Sequence, residues 1–336
     1  MFDNFTADKP KHRLTDIAKL AGVSIATVSN VLNNKGRTSP ETASRIQKVL
    51  RELDAQMTSA HAAGAQAKQG TIAFVSVDPM VNVNQSSLHM QLIQGMQSVL
   101  ERHGYSLTFV NCSSLPEFRQ RLGDAAAAVA VGFPKEPERW SEAAEIPVIW
   151  TLRSTSRNAD IVQEDNREIA RIASEHLLGL GHTHVGYVSD SHVESVCERG
   201  WFLEEFMRQG GGKAVVKTGT NIFYQELDQP QTRRLLEQIL ASKPRPTAIF
   251  IPGDRLCVTV YSILSDMGIR PQEDLTIISC NNDAPFLYTM FPRPATIGMN
   301  VDVIGRRAAE TALWRLNHPD EPPVRILVCP TLIPAG

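Results

Sequence analysis

From residue 71 to the C-terminus, short apolar runs alternate with stretches whose apolar residues recur every three or four positions. The runs TIAFVSV, LTFV, AVAV, PVIW, DIVQ, HVGYV, AVV, AIFI, LTIIS, ATIGM and RILVC read as strands. Several are apolar throughout, as strands covered on both faces must be. Between them, Ser87 to His103, Arg167 to Leu180, Glu198 to Gln209, Thr232 to Leu240, Leu256 to Asp266 and Val301 to Leu316 read as amphipathic helices. This alternation predicts parallel, doubly wound α/β sheets, and its length predicts two lobes. In such folds a small molecule binds beyond the carboxyl ends of the strands, which directs attention to the loops that follow them.

Upstream the pattern changes. Leu14 to Leu32, LTDIAKLAGVSIATVSNVL, predicts two short helices joined by a tight turn. Thr15 is an N-cap candidate, Ile17, Ala18, Leu20 and Ala21 form an apolar face, and Gly22 supplies the left-handed residue that ends the helix. Val23 can plug the corner, and Ser24 can cap a second helix whose Val28, Val31 and Leu32 point inward. After a basic loop, Ser39-Pro40-Glu41-Thr42 opens a third helix with Ala43, Ile46, Val49, Leu50 and Leu53 on one face. Any corner with a glycine in its turn can imitate a helix-turn-helix, so the outward residues matter. Ile25, Ala26, Thr27, Ser29 and Asn30 are short and uncharged, which lets a helix approach a duplex closely. Ile25 and Ala26 suit a thymine methyl and Asn30 suits the N6 and N7 edge of adenine, making these three the base-reading candidates. Ser24, Thr27, Ser29, Asn33, Ser39 and Thr42 suit phosphates, which set register without reading sequence.

Charge sharpens this picture. The net charge is −2 over 336 residues, but residues 1–70 carry ten Lys and Arg against six Asp and Glu, so the remainder is acidic. A basic head on an acidic body fits a polyanion partner for the head alone. No stretch of eighteen apolar residues or basic-then-apolar N-terminus predicts a membrane span or signal peptide, and a cytoplasmic location is expected. The five cysteines are scattered and never spaced CxxC, which predicts neither a disulfide framework nor structural zinc. His182 and His184 lack neighbouring ligands at metal spacing, and GxSxG, P-loop, GxGxxG and HExxH motifs are absent, so no cofactor, metal or enzymatic activity is expected.

Through AGVSIATVSNVLNN and SPETASRI the chain resembles the LacI/GalR family of bacterial transcription regulators, and the resemblance continues to the C-terminus. It implies a three-helix head at 1–53, a hinge at 54–70 and a two-lobed body at 71–336 similar to type I periplasmic binding proteins. The implied crossings between lobes fall near Thr155, Gly298 and Pro322, giving a first lobe of 71–155 and 299–321 and a second of 156–298 and 322–336. In the family the hinge becomes a helix on operator DNA and a leucine wedges into the minor groove. Here that position is Gly64, with Thr58 and His61 as further hinge candidates.

The effector candidates after the strands are Asp78, Asn111, Phe133, Arg153, Asp165, Asp190, Phe223, Asp254 and Asn281, together with Cys197. Carboxylates, amides and aromatic faces suit a polyol, so a sugar or sugar acid is the expected class. Relatives usually have an arginine where Cys197 stands and an aspartate where Asn281 stands, which removes one charge of each sign from the implied pocket. Arg199 lies two residues further on and would point elsewhere on its helix. The chain therefore reads as a homodimeric repressor that binds double-stranded operator DNA under control of a small-molecule effector, since two heads related by a two-fold read enough base pairs for a genomic search. A regulator answering to a protein partner and a solute-binding protein remain as alternatives.

Overall fold

The computed structural model describes residues 14–32, 39, 42–43, 45–46, 48–49, 70–77, 87–132, 134, 136–152, 158–221 and 228–336. The chain divides into two units, residues 1–68 and 69–336.

In the first unit, α1 (Leu14–Ala21) and α2 (Ile25–Leu32) are joined as the sequence requires. Gly22 takes φ +63°, and the Val23 N–H donates to the Ala18 carbonyl at 3.0 Å, the six-to-one bond of a Schellman ending. The Ser24 hydroxyl then accepts from the Thr27 N–H at 3.1 Å and caps α2. Ser39 repeats the device on Thr42 at 3.3 Å, opening helical positions that include Ile46 and Val49. Ala18, Ala21, Val28 and Ile46 are buried together, with Val23, Val31 and Val49 packed around them. Two expectations are corrected. Thr15 lies inside α1 and not at its cap, and Leu20 is 61% exposed while Ala18 and Ala21 on the same helix are buried.

The second unit contains two six-stranded sheets. The first is built from β1 (Gly70–Val77), β2 (Tyr105–Cys112), β3 (Ala125–Gly132), β4 (Val148–Thr151), β5 (Asp160–Glu164) and β11 (Arg325–Val328) in the order β11-β5-β4-β3-β1-β2, every pair parallel. The second is built from β6 (His184–Ser191), β7 (Lys213–Asn221), β8 (Ala248–Phe250), β9 (Thr276–Asn281), β10 (Ala295–Gly298) and β12 (Thr331–Ile333) in the order β12-β10-β9-β8-β6-β7. Only β12, which the apolar pattern does not reveal, runs antiparallel within this sheet. The first sheet is flanked by α3 (Ser87–Leu100), α4 (Leu115–Leu122), α5 (Pro137–Ala144) and α11 (Val301–Asn317). The second is flanked by α6 (Asn166–Gly179), α7 (Glu194–Gln209), α8 (Gln229–Leu240), α9 (Asp254–Asp266) and the single turn α10 (Ala284–Leu287). The helices α4, α5 and α10 lie outside the expected set, being only eight, eight and four residues long.

The crossings are also corrected. β5 belongs to the first sheet, so the first passage lies at Glu164–Asn166 and not near Thr155. β11 belongs to the first sheet and β12 to the second, so the last passage lies at Cys329–Pro330 and not near Pro322. The cause is a buried ion pair. Arg315, at the end of α11, grips Asp160 through two 2.7 Å hydrogen bonds, and Asp160 also accepts from the Val324 N–H at 2.8 Å, which seats β5 and β11 side by side. One apolar cluster runs through both lobes, from Phe74, Leu92 and Val162 to Tyr187, Leu203 and Ile278. Where α3 meets α11, Gly95 and Gly305 let backbones touch: a Cβ on Gly95 would lie 2.1 Å from the Asp302 carbonyl oxygen, and one on Gly305 2.1 Å from that of Leu92.

Candidate nucleic-acid interface and effector cleft

On α2, Val28 is fully buried while Ile25 is 48% exposed and Asn30 is exposed with it. Folding of the head makes no use of an exposed isoleucine. Ser24 is exposed and Thr27 and Ser29 half-buried on the same helix and its cap. The Ser24 and Thr27 hydroxyls lie 2.8 Å apart, as Ser39 and Thr42 do at 2.9 Å, so each pair caps its helix and keeps one O–H to donate elsewhere. The side chains of Ala26 and Asn33 lie outside the described residues, as do the hinge residues Thr58, His61 and Gly64.

In the body, the carboxyl ends of the strands gather the candidates unevenly. Asp78, Phe133, Arg153 and Phe223 lie outside the described residues. Asn111 is the penultimate residue of β2 and is exposed, its carbonyl held by Arg121 at 2.6 Å. Asp165 caps α6 by accepting from the Glu168 N–H at 3.0 Å. Asp190 is buried near the end of β6. Cys197 is buried on α7, its sulfur 3.8 Å from His192 Nδ1, and burial, reinforced by Glu194 and Glu198, pushes its thiol up and keeps it neutral.

Asp254 stands differently from its expected role. It opens α9 with no exposed surface and spends both carboxylate oxygens on the protein. Oδ1 accepts from Ser279 at 2.5 Å and Thr296 at 3.0 Å, and Oδ2 accepts from the Asp283 N–H at 2.6 Å. Burial pushes its pKa up to about 6 against the pull of those donors. In this arrangement it braces the loop after β9 and presents nothing to a ligand. That loop carries strain, with φ +110° at Asn281 and +57° at Asn282. Asp283, itself raised by burial, accepts a hydrogen bond from the Ser87 hydroxyl at the start of α3, a direct bridge between the lobes.

Five buried side-chain oxygens among the described residues have no hydrogen-bond partner in the protein: Ser76 Oγ, Gln163 Oε1, Glu164 Oε2, Asn281 Oδ1 and Thr232 Oγ1. The first four occupy the last two residues of β1, β5 and β9. Buried polar groups are normally paired, and leaving one unpaired costs about 1–3 kcal/mol. Their concentration at strand carboxyl ends in both lobes is what a cleft completed by a polar ligand would show. The sequence points to Asn281 in this set but not to Ser76 or Gln163, which sit within the apolar runs TIAFVSV and DIVQ, or to Glu164, which directly follows the second.

Among the described residues, no group of three or more His, Cys, Asp or Glu could hold a metal ion, and no helix is long and apolar enough to cross a membrane.

Comparison with known proteins gives concordant results. Residues 13–54 match the family model for bacterial regulatory proteins of the lacI family, and residues 174–335 match the periplasmic binding protein-like domain. The chain is 23% identical over 330 residues to the HTH-type transcriptional repressor PurR of Mannheimia succiniciproducens, covering 95% of this chain and 96% of that one. It is 24% identical over 313 residues to the PurR repressor of Vibrio vulnificus, covering 90% and 91%. Its fold resembles the transcriptional regulator CelR in complex with cellobiose, with a TM-score of 0.67, 19% identity and coverage of 97% of this chain and 99% of that one. It also resembles the lac repressor dimer bound to operator and the anti-inducer ONPF, with a TM-score of 0.66, 17% identity and coverage of 97% and 98%. The lacI-family match of the head, the periplasmic binding protein-like match of the body and the repressor relatives together support a LacI/GalR family regulator.

Proposed function

We propose that this chain is a sequence-specific repressor that acts in the cytoplasm as a homodimer on palindromic operator DNA, with its operator affinity set by a small polar effector bound between the lobes. It catalyses no reaction in this role. The observation that carries the reading is α2, a capped eight-residue helix that buries Val28 and leaves Ile25 and Asn30 exposed on the side a major groove would meet. Ile25 and Asn30, with Ala26, read bases, while Ser24, Thr27, Ser29, Asn33, Ser39 and Thr42 hold phosphates. The unpartnered Asn281 Oδ1 and Glu164 Oε2 support the effector half of the proposal, because a ligand that supplies hydrogen-bond donors relieves their cost. The repressor relatives and the cellobiose-bound regulator of like fold lend the same support. An effector that prefers one arrangement of the lobes shifts operator affinity by no more than that preference.

Selection of bound duplexes from a random DNA library by the full-length protein, at near-physiological salt, tests the reading. Enrichment of a palindrome with half-sites about one helical turn apart is expected. Enrichment of no motif by a folded dimer, with and without a metabolite panel, refutes it.

A further inference from the structure

The guanidinium of Arg199 is buried at the junction of the lobes, 3% exposed, where neither DNA reading nor the effector candidates account for it. Its Nε donates to Asn166 Oδ1 at 2.8 Å, its Nη1 to the Pro252 carbonyl at 2.9 Å and to Cys280 Sγ at 3.6 Å, and its Nη2 to Glu164 Oε1 at 2.9 Å and Met299 Sδ at 3.2 Å. These partners are spread across the body. Glu164 is the last residue of β5 in the first lobe, Asn166 begins α6 just past the first crossing, Pro252 and Cys280 belong to the second sheet's carboxyl side, and Met299 lies in the second crossing. The Cys280 thiol is pushed up to about 12, chiefly by burial, and stays protonated, so the positive charge of Arg199 is met by Glu164.

We propose that the Arg199–Glu164 pair is an internal clasp that holds the lobes at their present angle without a ligand, and that effector control works for or against it. The proposal rests on the two-lobed regulator reading. A buried pair tolerates little rearrangement: rotation of one lobe separates β5 from α7, and a 2.9 Å hydrogen bond stretched beyond about 3.5 Å ceases to be one. Removing one partner strands the other as an uncompensated buried charge, so the arrangement is either closed on this pair or substantially different. Arg199 stands two residues after Cys197 on α7, which turns its guanidinium by about 200° around the helix axis from the face of Cys197. A second contact reports the same angle from a separate place, the Ser87 hydroxyl on Asp283.

The test needs neither operator nor effector, which keeps it separate from the test of the regulator reading. In the full chain, Cys329, the exposed one of the five cysteines, is first replaced (Cys329→Ser), and Ser87→Cys with Asp283→Cys then allows a disulfide to form between the lobes. The rate of crosslinking under mild oxidant is followed on non-reducing gels. Glu164→Gln, which keeps shape and removes charge, and the double change Glu164→Leu/Arg199→Met, which leaves no buried charge behind, are compared with the parent. Crosslinking slowed by about tenfold or more, the scale of coupling between conformational states, is expected in both, with a single melting transition retained in the double variant. An unchanged crosslinking rate in the folded double variant overturns the proposal and leaves the pair as packing alone.

Discussion

Asp254 offers the most demanding test, because its burial fixes both the sign and the size of the effect. Replacing it with asparagine removes the charge and keeps the shape: Oδ1 of the amide can still accept from the Asp283 N–H, and its NH2 can donate to Ser279 and Thr296, whose hydroxyls turn to accept. Burial raises the pKa of Asp254 from 3.8 to about 6. A carboxyl raised in the folded state favours folding when protonated, so this stability is present below pH 3.8 and is lost as pH rises toward 6. Linkage converts the shift into a loss of about 1.3 kcal/mol between pH 5 and pH 7. Asp254→Asn should therefore gain about 1.3 kcal/mol on the parent over that interval, whatever its offset at pH 5. The comparison of variant with parent also cancels the other titrating groups, His89 above all, whose effect runs in the opposite direction. Urea unfolding of the full chain at pH 5, 6 and 7 measures it. A difference between variant and parent that stays flat across the three would show that Asp254 is not desolvated and that its expected place among the ligand residues should be restored.

Three further outcomes are expected. His89 is buried against Phe74, and burial lowers its pKa from 6.5 to about 4, so its contribution is present above pH 6.5 and lost as pH falls; His89→Leu should remove about 2 kcal/mol of acid sensitivity between pH 7 and pH 5, and an unaltered acid limb in urea unfolding would refute this. Gly305→Ala should destabilise by about 2–3 kcal/mol, although alanine is the better helix former by about 1 kcal/mol, because its Cβ meets the Leu92 carbonyl at 2.1 Å; a raised urea midpoint would contradict the close contact. Asn30→Ala should relax preference at one base pair of each half-site by about 1–3 kcal/mol, and an identical selected motif would exclude Asn30 from readout.

Much of the fold is legible in the chain because its signals are local. Gly22, Ser24 and Ser39 announce turn and caps whose hydrogen bonds form within five residues, and eleven apolar runs mark strands whose burial needs no partner to predict. What escapes is whatever long-range pairing decides. Assignment of β5 to the first sheet depends on Asp160 meeting Arg315, 155 residues later, and Thr331–Ile333 becomes a strand only because β10 lies open beside it. The candidate site divides the same way. Ile25 and Asn30 can be picked from helical periodicity, whereas Asp254 looks like a ligand residue until Ser279, Thr296 and Asp283 are found to have claimed its oxygens.

Arg199 shows where reasoning from one element stops. Helical geometry alone turns it away from the face of Cys197, since two residues advance the helix by about 200°. The same geometry says nothing of its destination, which is set by residues 33 to 100 positions distant in sequence that the two sheets bring together. An arginine there lets the chain supply from Glu164 a charge that, in a pocket built around an arginine, a ligand could bring. Control in this molecule is accordingly a competition. An effector acts against an angle the protein already holds, and its affinity is reduced by the free energy needed to release that hold if it favours the other arrangement. An effector that favours the present angle meets no such opposition. The direction in which ligand changes crosslinking between positions 87 and 283 would therefore identify it as opponent or ally of the clasp, independently of any DNA measurement.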